Sequence, residues 1–221
     1  MLINSLKFGL LVLLFGACTN VKTHPTHTKL TPSVSLMNLK DTAGLEKATL
    51  AGGCFWKMDA CYQQLNGVVA LEVGYAGGNT VNPTYEDVSS RTTGHAETIQ
   101  LLFDPKIVSY KEILDVFWHI HDPTILNREG NDFGDDYRSV VFYHNDMQRK
   151  TAEMVKDSIL KTGLWRKIVT TVEPYKHFYR AEEYHQNYYN LHPDEPYSRN
   201  VVRHKVEIFE DVFKAKMKQR T

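Results

Sequence analysis

One cysteine follows a glycine pair and precedes two aromatic residues, in the run Gly52-Gly53-Cys54-Phe55-Trp56. Residues 45–51 have the pattern of a short strand, and apolar residues after Cys54 recur at helical spacing. Cys54 is therefore predicted on a strand-to-helix turn, where glycine permits the tight backbone and the positive end of the helix dipole favours an anion. This setting predicts a nucleophilic thiol with a lowered pKa. The alternative is an inert core cysteine.

A carboxyl group and two phenols can supply protons to a reaction at this thiol. Glu97 lies on a second predicted strand, residues 95–103. A carboxyl buried among apolar residues retains its proton at neutral pH, so Glu97 is a candidate general acid, with pairing to an arginine as the alternative. Tyr85 and Tyr137 can donate hydrogen bonds to an oxygen that gains negative charge. Either tyrosine alone is also compatible with simple packing.

The elements that must position these residues alternate between strand and helix patterns. Their order is strand, helix, strand, strand, helix, strand, helix, strand, ending with a strand over residues 168–172. This order predicts the α+β class, a two-layer sandwich of the ferredoxin-like type. We expect two additions: long loops, above all residues 119–137, and an extra C-terminal amphipathic helix. One face of that helix carries Val202, Val206, Phe209 and Phe213.

Four sequence blocks carry a resemblance to a known family. After the Cys54 block come Asn82-Pro83-Thr84-Tyr85, then Gly94-His95-Ala96-Glu97, then GNDFGDDYRS over residues 130–139. In this order the blocks resemble the peptide methionine sulfoxide reductases of the A type, over roughly residues 47–215. The later segment 182–186, EEYHQ, is similar to that family as well.

The resemblance implies thiol-dependent reduction of methionine S-sulfoxide, free and in proteins, through a cysteine sulfenic acid, and hence repair of oxidised proteins. It implies no metal and no organic cofactor, but an external reductant, either a thioredoxin-like protein or a dithiol. Phe55 and Trp56 would offer apolar faces to the methyl group on sulfur. Asp132 would help to hold the substrate backbone, although bracing its own loop is the alternative. The implied catalytic residues are Cys54, Glu97, Tyr85 and Tyr137.

The chain departs from many of these relatives in lacking a resolving cysteine near its C-terminus, where Ser198 follows Tyr197. Cys61 lies seven residues after Cys54 in the same predicted helix. The axial separation is about 10 Å, beyond the roughly 7 Å that a disulfide permits between Cα atoms. We therefore expect Cys61 to be a core thiol, and an external thiol or a partner cysteine to reduce the sulfenic acid.

Two other functions are compatible with part of this set. A thiol peroxidase also uses a cysteine beside a proton donor, but gives no reason for the Phe55-Trp56 pair or for two tyrosines. A surface-tethered module for methionine-rich or oxidised peptides would need no intact set of reactive groups. His95 is expected beside Glu97 as a supporting residue. The segment 119–122, HIHD, lacks the spacing of a metal site.

The N-terminus predicts export. Lys7 precedes an apolar run over residues 8–17, which is too short to span a bilayer but suits a signal peptide. Gly16-Ala17 before Cys18 resembles a bacterial lipoprotein cleavage site, so Cys18 is the expected acylated residue, with plain secretion as the alternative. We expect a signal peptide over 1–18, a flexible tether over 19–44 and the reductase domain over 45–221. The protein would be anchored to a membrane and face the periplasm or the cell exterior.

Overall charge excludes one class of partner. Lys and Arg together number 26, as do Asp and Glu. A balanced chain lacks the basic surface that nucleic-acid binding needs, so we expect no nucleic-acid partner. The expected partners are oxidised proteins, free methionine sulfoxide and the reductant.

Overall fold

Residues 34–219 are described by the structure, a computed structural model. The predicted signal peptide and Cys18 lie outside the described residues. Within residues 34–219, no helix is both long enough and apolar enough to cross a membrane.

A six-stranded sheet forms the centre of the fold, and a separate pair of short strands lies in the loop after the second long helix. The strands are β1 (Glu46–Gly52), β2 (Val68–Ala76), β3 (Ala96–Phe103), β4 (Arg128–Glu129), β5 (Asp132–Phe133), β6 (Ser139–Tyr143), β7 (Thr171–Pro174) and β8 (Phe178–Arg180). The order across the sheet is β7-β6-β1-β3-β2-β8, and β4 pairs with β5. All pairs are antiparallel except β6 and β7.

Within the described residues, four helices lie between strands and two follow β8: α1 (Phe55–Tyr62), α2 (Tyr85–Ser89), α3 (Tyr110–Ile120), α4 (Asp146–Thr162), and then α5 (Tyr188–Leu191) and α6 (Arg203–Phe213). Ser109 caps α3, and its hydroxyl accepts from the N–H of Glu112 while Glu112 accepts from the N–H of Ser109. One turn of π-helix, Ser198–Val202, runs directly into α6.

The core confirms the α+β prediction. The central strands β6-β1-β3-β2, with α1 and α3 as connections, have the ferredoxin-like βαββαβ arrangement. Side chains alternate along β1, so Leu50 packs in the main core with the helices, whereas Ala51 joins a smaller apolar cluster that includes Phe142. The main core holds α1, which fixes the turn that carries Cys54.

Local differences from the predicted elements are confined to loops and strand ends. The last strand of the predicted order begins at Thr171 rather than at residue 168. The loop after β2 contains α2, whose Thr84 hydroxyl caps the helix in a capping box with Asp87. Strands β4, β5 and β8 have two or three residues each, too short for periodicity to reveal.

The end of the predicted tether contacts the sheet. Val34 forms a bridge with Ala70, and the Ser35 hydroxyl donates a hydrogen bond to Glu72. A short 3₁₀ turn, Leu36–Asn38, follows. The structure therefore differs from the predicted flexible tether over these residues.

Candidate active site

The turn that carries Cys54 depends on Gly53. Strand β1 ends at Gly52, Cys54 is the N-cap of α1, and Gly53 between them has φ +77°. A Cβ on Gly53 would lie 2.4 Å from the Cγ of Glu129. Glycine is needed here both for its left-handed backbone and for the close approach of Glu129.

Cys54 is almost completely buried, with 5% of its surface exposed. Burial raises the pKa of its thiol, and the charge of Glu97 raises it further. The charge of Lys57 lowers that pKa, as do contacts with Tyr197 and the backbone of Trp56, but burial outweighs them. The predicted lowering of the thiol pKa by the helix terminus is therefore wrong for this structure, because the turn lies in a low-dielectric interior.

Glu97 lies directly beside the Cys54 turn. Its Oε2 accepts a hydrogen bond of 2.9 Å from the N–H of Phe55, and its carboxylate also accepts from the Cys54 thiol. Burial raises the pKa of Glu97 to about 8, against the effect of the Phe55 hydrogen bond, and the nearby charges of Asp136 and Asp132 add to the rise. A carboxyl with this pKa is largely protonated at neutral pH, as a general acid requires.

Tyr85 and Tyr137 lie on two different segments that meet at the site. Tyr85 begins α2, and Tyr137 ends a 3₁₀ turn, Asp135–Tyr137. Both are half-buried. Burial raises the pKa of each phenol, and the charges of Glu97 and Cys54 raise both further. Both phenols therefore stay protonated at neutral pH and lie within electrostatic reach of the two central groups.

Asp132 is connected to the site through Tyr197. The Tyr197 hydroxyl donates a hydrogen bond of 2.6 Å to Oδ2 of Asp132 and is also within hydrogen-bond reach of the Cys54 thiol. Asp132 lies on β5, whereas Tyr197 lies 65 residues later in the chain. The structure therefore places Asp132 next to Tyr197, which lies between it and the nucleophile.

An aromatic wall borders Cys54. Phe55 is buried, and Trp56 is half-buried. The Trp56 ring stacks on Tyr188 with centroids 3.7 Å apart and planes inclined by 7°. His185 lies 5.1 Å from Phe55 and 4.7 Å from Tyr85, measured between ring centroids. Such a wall offers contacts to a methyl group on sulfur.

Several residues of the site were missed by sequence reasoning. In the sequence, Tyr197 stands out only as the neighbour of Ser198. Glu182 accepts a hydrogen bond from the Tyr85 N–H and another from the Tyr75 hydroxyl, so it holds α2 against the sheet. Glu182 and His185 belong to the EEYHQ segment that resembled the family, which was the available signal. No sequence signal marked Tyr188 and Tyr197 as site residues, because only the folded chain brings them to Trp56.

The remaining candidates have structural contacts. The Cys61 thiol is fully buried in α1 and donates to the carbonyl of Lys205 over 3.7 Å. His95 lies just before β3, where Nδ1 accepts from the Gly78 N–H and Nε2 contacts the Thr80 carbonyl. His121 contacts the carbonyl of Phe117 and the hydroxyl of Ser139. Across residues 34–219, no group of three or more His, Cys, Asp or Glu side chains is arranged to hold a metal ion.

Comparison with known proteins agrees with this geometry. The family model of peptide methionine sulfoxide reductases matches residues 46–217. The chain belongs to this family. It is an oxidoreductase of the peptide methionine sulfoxide reductase type, and the match includes every candidate site residue from Cys54 to Tyr197.

Curated relatives share about half of their sequence with this reductase. The peptide methionine sulfoxide reductase MsrA of Saccharolobus solfataricus is 50% identical over 79% of this chain and 98% of its own. The MsrA of Leptospira borgpetersenii is 51% identical over 74% of this chain and 92% of its own.

Solved structures of the family have the same fold. Mxr1 of Saccharomyces cerevisiae in reduced form has a TM-score of 0.68 and 37% identity, over 73% of this chain and 93% of that one. The methionine sulfoxide reductase A of Corynebacterium diphtheriae has a TM-score of 0.62 and 30% identity, over 74% and 83%. Mxr1 has also been solved in complex with Trx2, at 34% identity over 70% and 92%, with a TM-score of 0.50.

Proposed function

We propose that this reductase repairs methionine S-sulfoxide, free and in proteins, through a sulfenic acid on Cys54. The observation that carries the proposal is the direct contact between the Cys54 thiol and Glu97, whose pKa of about 8 keeps it protonated at neutral pH. Reduction of a sulfoxide needs a nucleophile for sulfur and a proton for the departing oxygen. We propose the S configuration at the substrate sulfur because the chain resembles the A type of these reductases.

In the first half-reaction, the Cys54 sulfur attacks the substrate sulfur while the sulfoxide oxygen is protonated. Glu97 donates a proton to that oxygen, and the Tyr85 and Tyr137 phenols donate hydrogen bonds to it as charge develops. The oxygen is transferred to Cys54, and the net change is Cys54–SH plus sulfoxide giving Cys54–SOH plus thioether. Sulfur in the substrate is reduced, and Cys54 is oxidised by the same two electrons. Glu97 regains the proton that the thiol gives up.

In the second half-reaction, two external thiols reduce the sulfenic acid. The first forms a mixed disulfide with Cys54 and releases water, and the second forms the external disulfide and restores the Cys54 thiol. We propose that Cys61 does not reduce the sulfenic acid. It lies on α1, seven residues from Cys54, and its thiol contacts α6. A thioredoxin-like protein is the reductant that we propose, supported by the complex of the yeast relative with Trx2.

The test is reduction of each methionine sulfoxide epimer driven by dithiothreitol, with hydrogen peroxide as a parallel substrate. We expect turnover of the S epimer alone, abolished by Cys54→Ser and retained by the matched variant Cys61→Ser. A sulfenic acid on Cys54 should be trapped after one turnover without reductant. Faster turnover of peroxide than of sulfoxide would support the thiol peroxidase instead, and activity in Cys54→Ser would refute the mechanism.

We further propose that Cys18 is acylated and anchors the enzyme to a membrane, facing an oxidising compartment. The support is Lys7, the apolar run over residues 8–17 and the small pair Gly16-Ala17. A single acyl chain anchors only marginally, so stable attachment implies several chains. Mass spectrometry of the mature N-terminus, together with fractionation of Cys18→Ala, tests this. A soluble enzyme with an unmodified N-terminus would refute the anchor.

A further inference from the structure

A buried group of charges lies beneath the Cys54 turn. The Lys57 ammonium lies 3.1 Å from Oε1 of Glu129, and their side chains are only 2% and 3% exposed. The Lys205 ammonium reaches the same oxygen at 3.3 Å. The other carboxylate oxygen, Oε2, accepts a hydrogen bond of 2.7 Å from the N–H of Asp122. Two ammonium groups therefore share one buried carboxylate, and of the three side chains only that of Lys205, which is 22% exposed, reaches solvent.

This cluster is in contact with the turn itself. Lys57 lies three residues after Cys54 in α1, and its N–H donates to the Cys54 carbonyl. A Cβ on Gly53 would lie 3.1 Å from the Lys57 nitrogen and 2.4 Å from the Cγ of Glu129. The missing side chain at Gly53 thus lets the ion pair pack directly against the backbone that holds the nucleophile.

The cluster carries a net positive charge. Burial opposes ionisation of Glu129, but Lys57, His121 and Lys205 lower its pKa to about 2. Burial lowers the pKa of His121 to about 4, so that ring is neutral at physiological pH. One carboxylate and two ammonium groups leave one positive charge. In a low-dielectric interior, such a charge acts strongly on groups a few ångströms away.

We propose that the net positive charge of the Lys57–Glu129–Lys205 cluster favours ionisation of the Cys54 thiol, and that the charge of Lys57 has the largest effect. The inference rests on the proposed function only in taking Cys54 as the nucleophile. Among the neighbouring groups on the other elements, the charge of Glu97 opposes ionisation of the thiol, whereas the hydrogen-bond contact with Tyr197 favours it. Glu97 on β3 is the carboxyl nearest to the thiol, and burial keeps the phenols of Tyr85, Tyr137 and Tyr188 protonated.

The charge of Lys57 is thus the positive influence that partly offsets burial of Cys54. Lys205 lies on α6 and contacts the shared Oε1 of Glu129 at 3.3 Å, and we expect its influence on the thiol to be smaller than that of Lys57, whose charge acts on the thiol directly. Removing a lysine and removing the glutamate should consequently move the Cys54 titration in opposite directions. If the cluster only stabilised the loop, the two kinds of substitution would not shift the Cys54 titration in opposite directions.

The test is the pH dependence of iodoacetamide alkylation of Cys54, in the full chain carrying Cys18→Ala and Cys61→Ala so that one thiol remains. Lys57→Met should slow alkylation at pH 8 by roughly three- to tenfold and move the titration midpoint up by roughly 0.5 to 1 pH unit. Lys57→Arg, which keeps the charge, should restore most of the rate. Lys205→Met should give a smaller upward shift.

Glu129→Gln should shift the Cys54 titration in the opposite direction, and it tests the inference even if Lys57→Met does not fold. It should move the midpoint down and speed alkylation at pH 8. An unchanged or raised midpoint in folded Glu129→Gln, or an unchanged midpoint in folded Lys57→Met, would overturn the inference. Alkylation requires no sulfoxide, so reductase assays on the same preparations separate failure of this inference from failure of the proposed function.

Discussion

The Tyr197 hydroxyl donates a hydrogen bond of 2.6 Å to the Asp132 carboxylate and also contacts the Cys54 thiol. This joins three segments that are remote in sequence: the turn before α1, the β4–β5 pair and the start of the C-terminal helix. Burial raises the pKa of Tyr197, and the charge of Cys54 raises it further, so the phenol remains a proton donor at neutral pH. Tyr197 therefore connects Asp132 to the nucleophile through two contacts.

Tyr197→Phe should lower kcat/KM for methionine sulfoxide by about 10- to 150-fold, since a hydrogen bond to a charged group contributes about 1.5 to 3 kcal/mol. Steady-state kinetics with dithiothreitol measures this. Tyr143→Phe, on β6, is the matched control and should be unaffected. Normal kinetics in a folded Tyr197→Phe variant would show that this contact has no part in the reaction.

Glu97→Gln should slow the oxygen-transfer step by about 10²- to 10⁴-fold, as expected for loss of a general acid. In the unsubstituted enzyme, the general acid is active when protonated, so the rate should fall as pH rises through the Glu97 pKa of about 8. The variant should lose this alkaline limb. Single-turnover kinetics across pH 6 to 10 tests both effects, with the exposed Glu153→Gln as control. An unaltered pH profile would assign the acid to another group.

Glu97→Gln should also change how stability depends on pH. Because the folded-state pKa of about 8 lies above the ordinary value of 4.5, the native carboxyl contributes most below pH 4.5. That contribution is lost as pH rises toward 8. The amide cannot ionise, so the variant should gain stability relative to the unsubstituted enzyme, by about 1 kcal/mol or more at pH 8.5 compared with pH 5. Urea unfolding at the two pH values measures this, and equal differences at both would contradict it.

Gly53→Ala should destabilise the fold by about 2 kcal/mol or more and reduce activity, because it combines a left-handed backbone with a Cβ at 2.4 Å from Glu129. Gly163→Ala is a matched control. Gly163 has the same φ of +77°, but its Cβ would have no neighbour within 4 Å. Thermal unfolding of the two variants separates backbone strain from the packing contact. Equal losses would mean that Glu129 moves aside without cost.

The parts of the fold and site that could be predicted depend on local sequence signals. The differences between prediction and structure arise from contacts between residues that are distant in the sequence. Cys54 and Glu97 lie at the ends of long elements with clear periodicity, so their elements were predictable. Tyr197 contacts a residue 65 positions earlier, and Lys57 pairs with a residue 72 positions later, as counted from their numbers. No pattern in one sequence reports such pairs. The thiol pKa was mispredicted for a related reason, because the helix terminus is a local feature while burial depends on the whole fold.

The π-turn before α6 has a consequence for the orientation of that helix. Tyr197 and Lys205 lie eight residues apart on either side of Ser198–Val202, within one continuous run of helical backbone. Two turns of regular α-helix hold about 7.2 residues, so an eighth would rotate the second side chain well away from the first. The wider turn takes up roughly one extra residue and restores the phase. One widened turn thereby aims both side chains at the same β4–β5 pair, Tyr197 at Asp132 and Lys205 at Glu129.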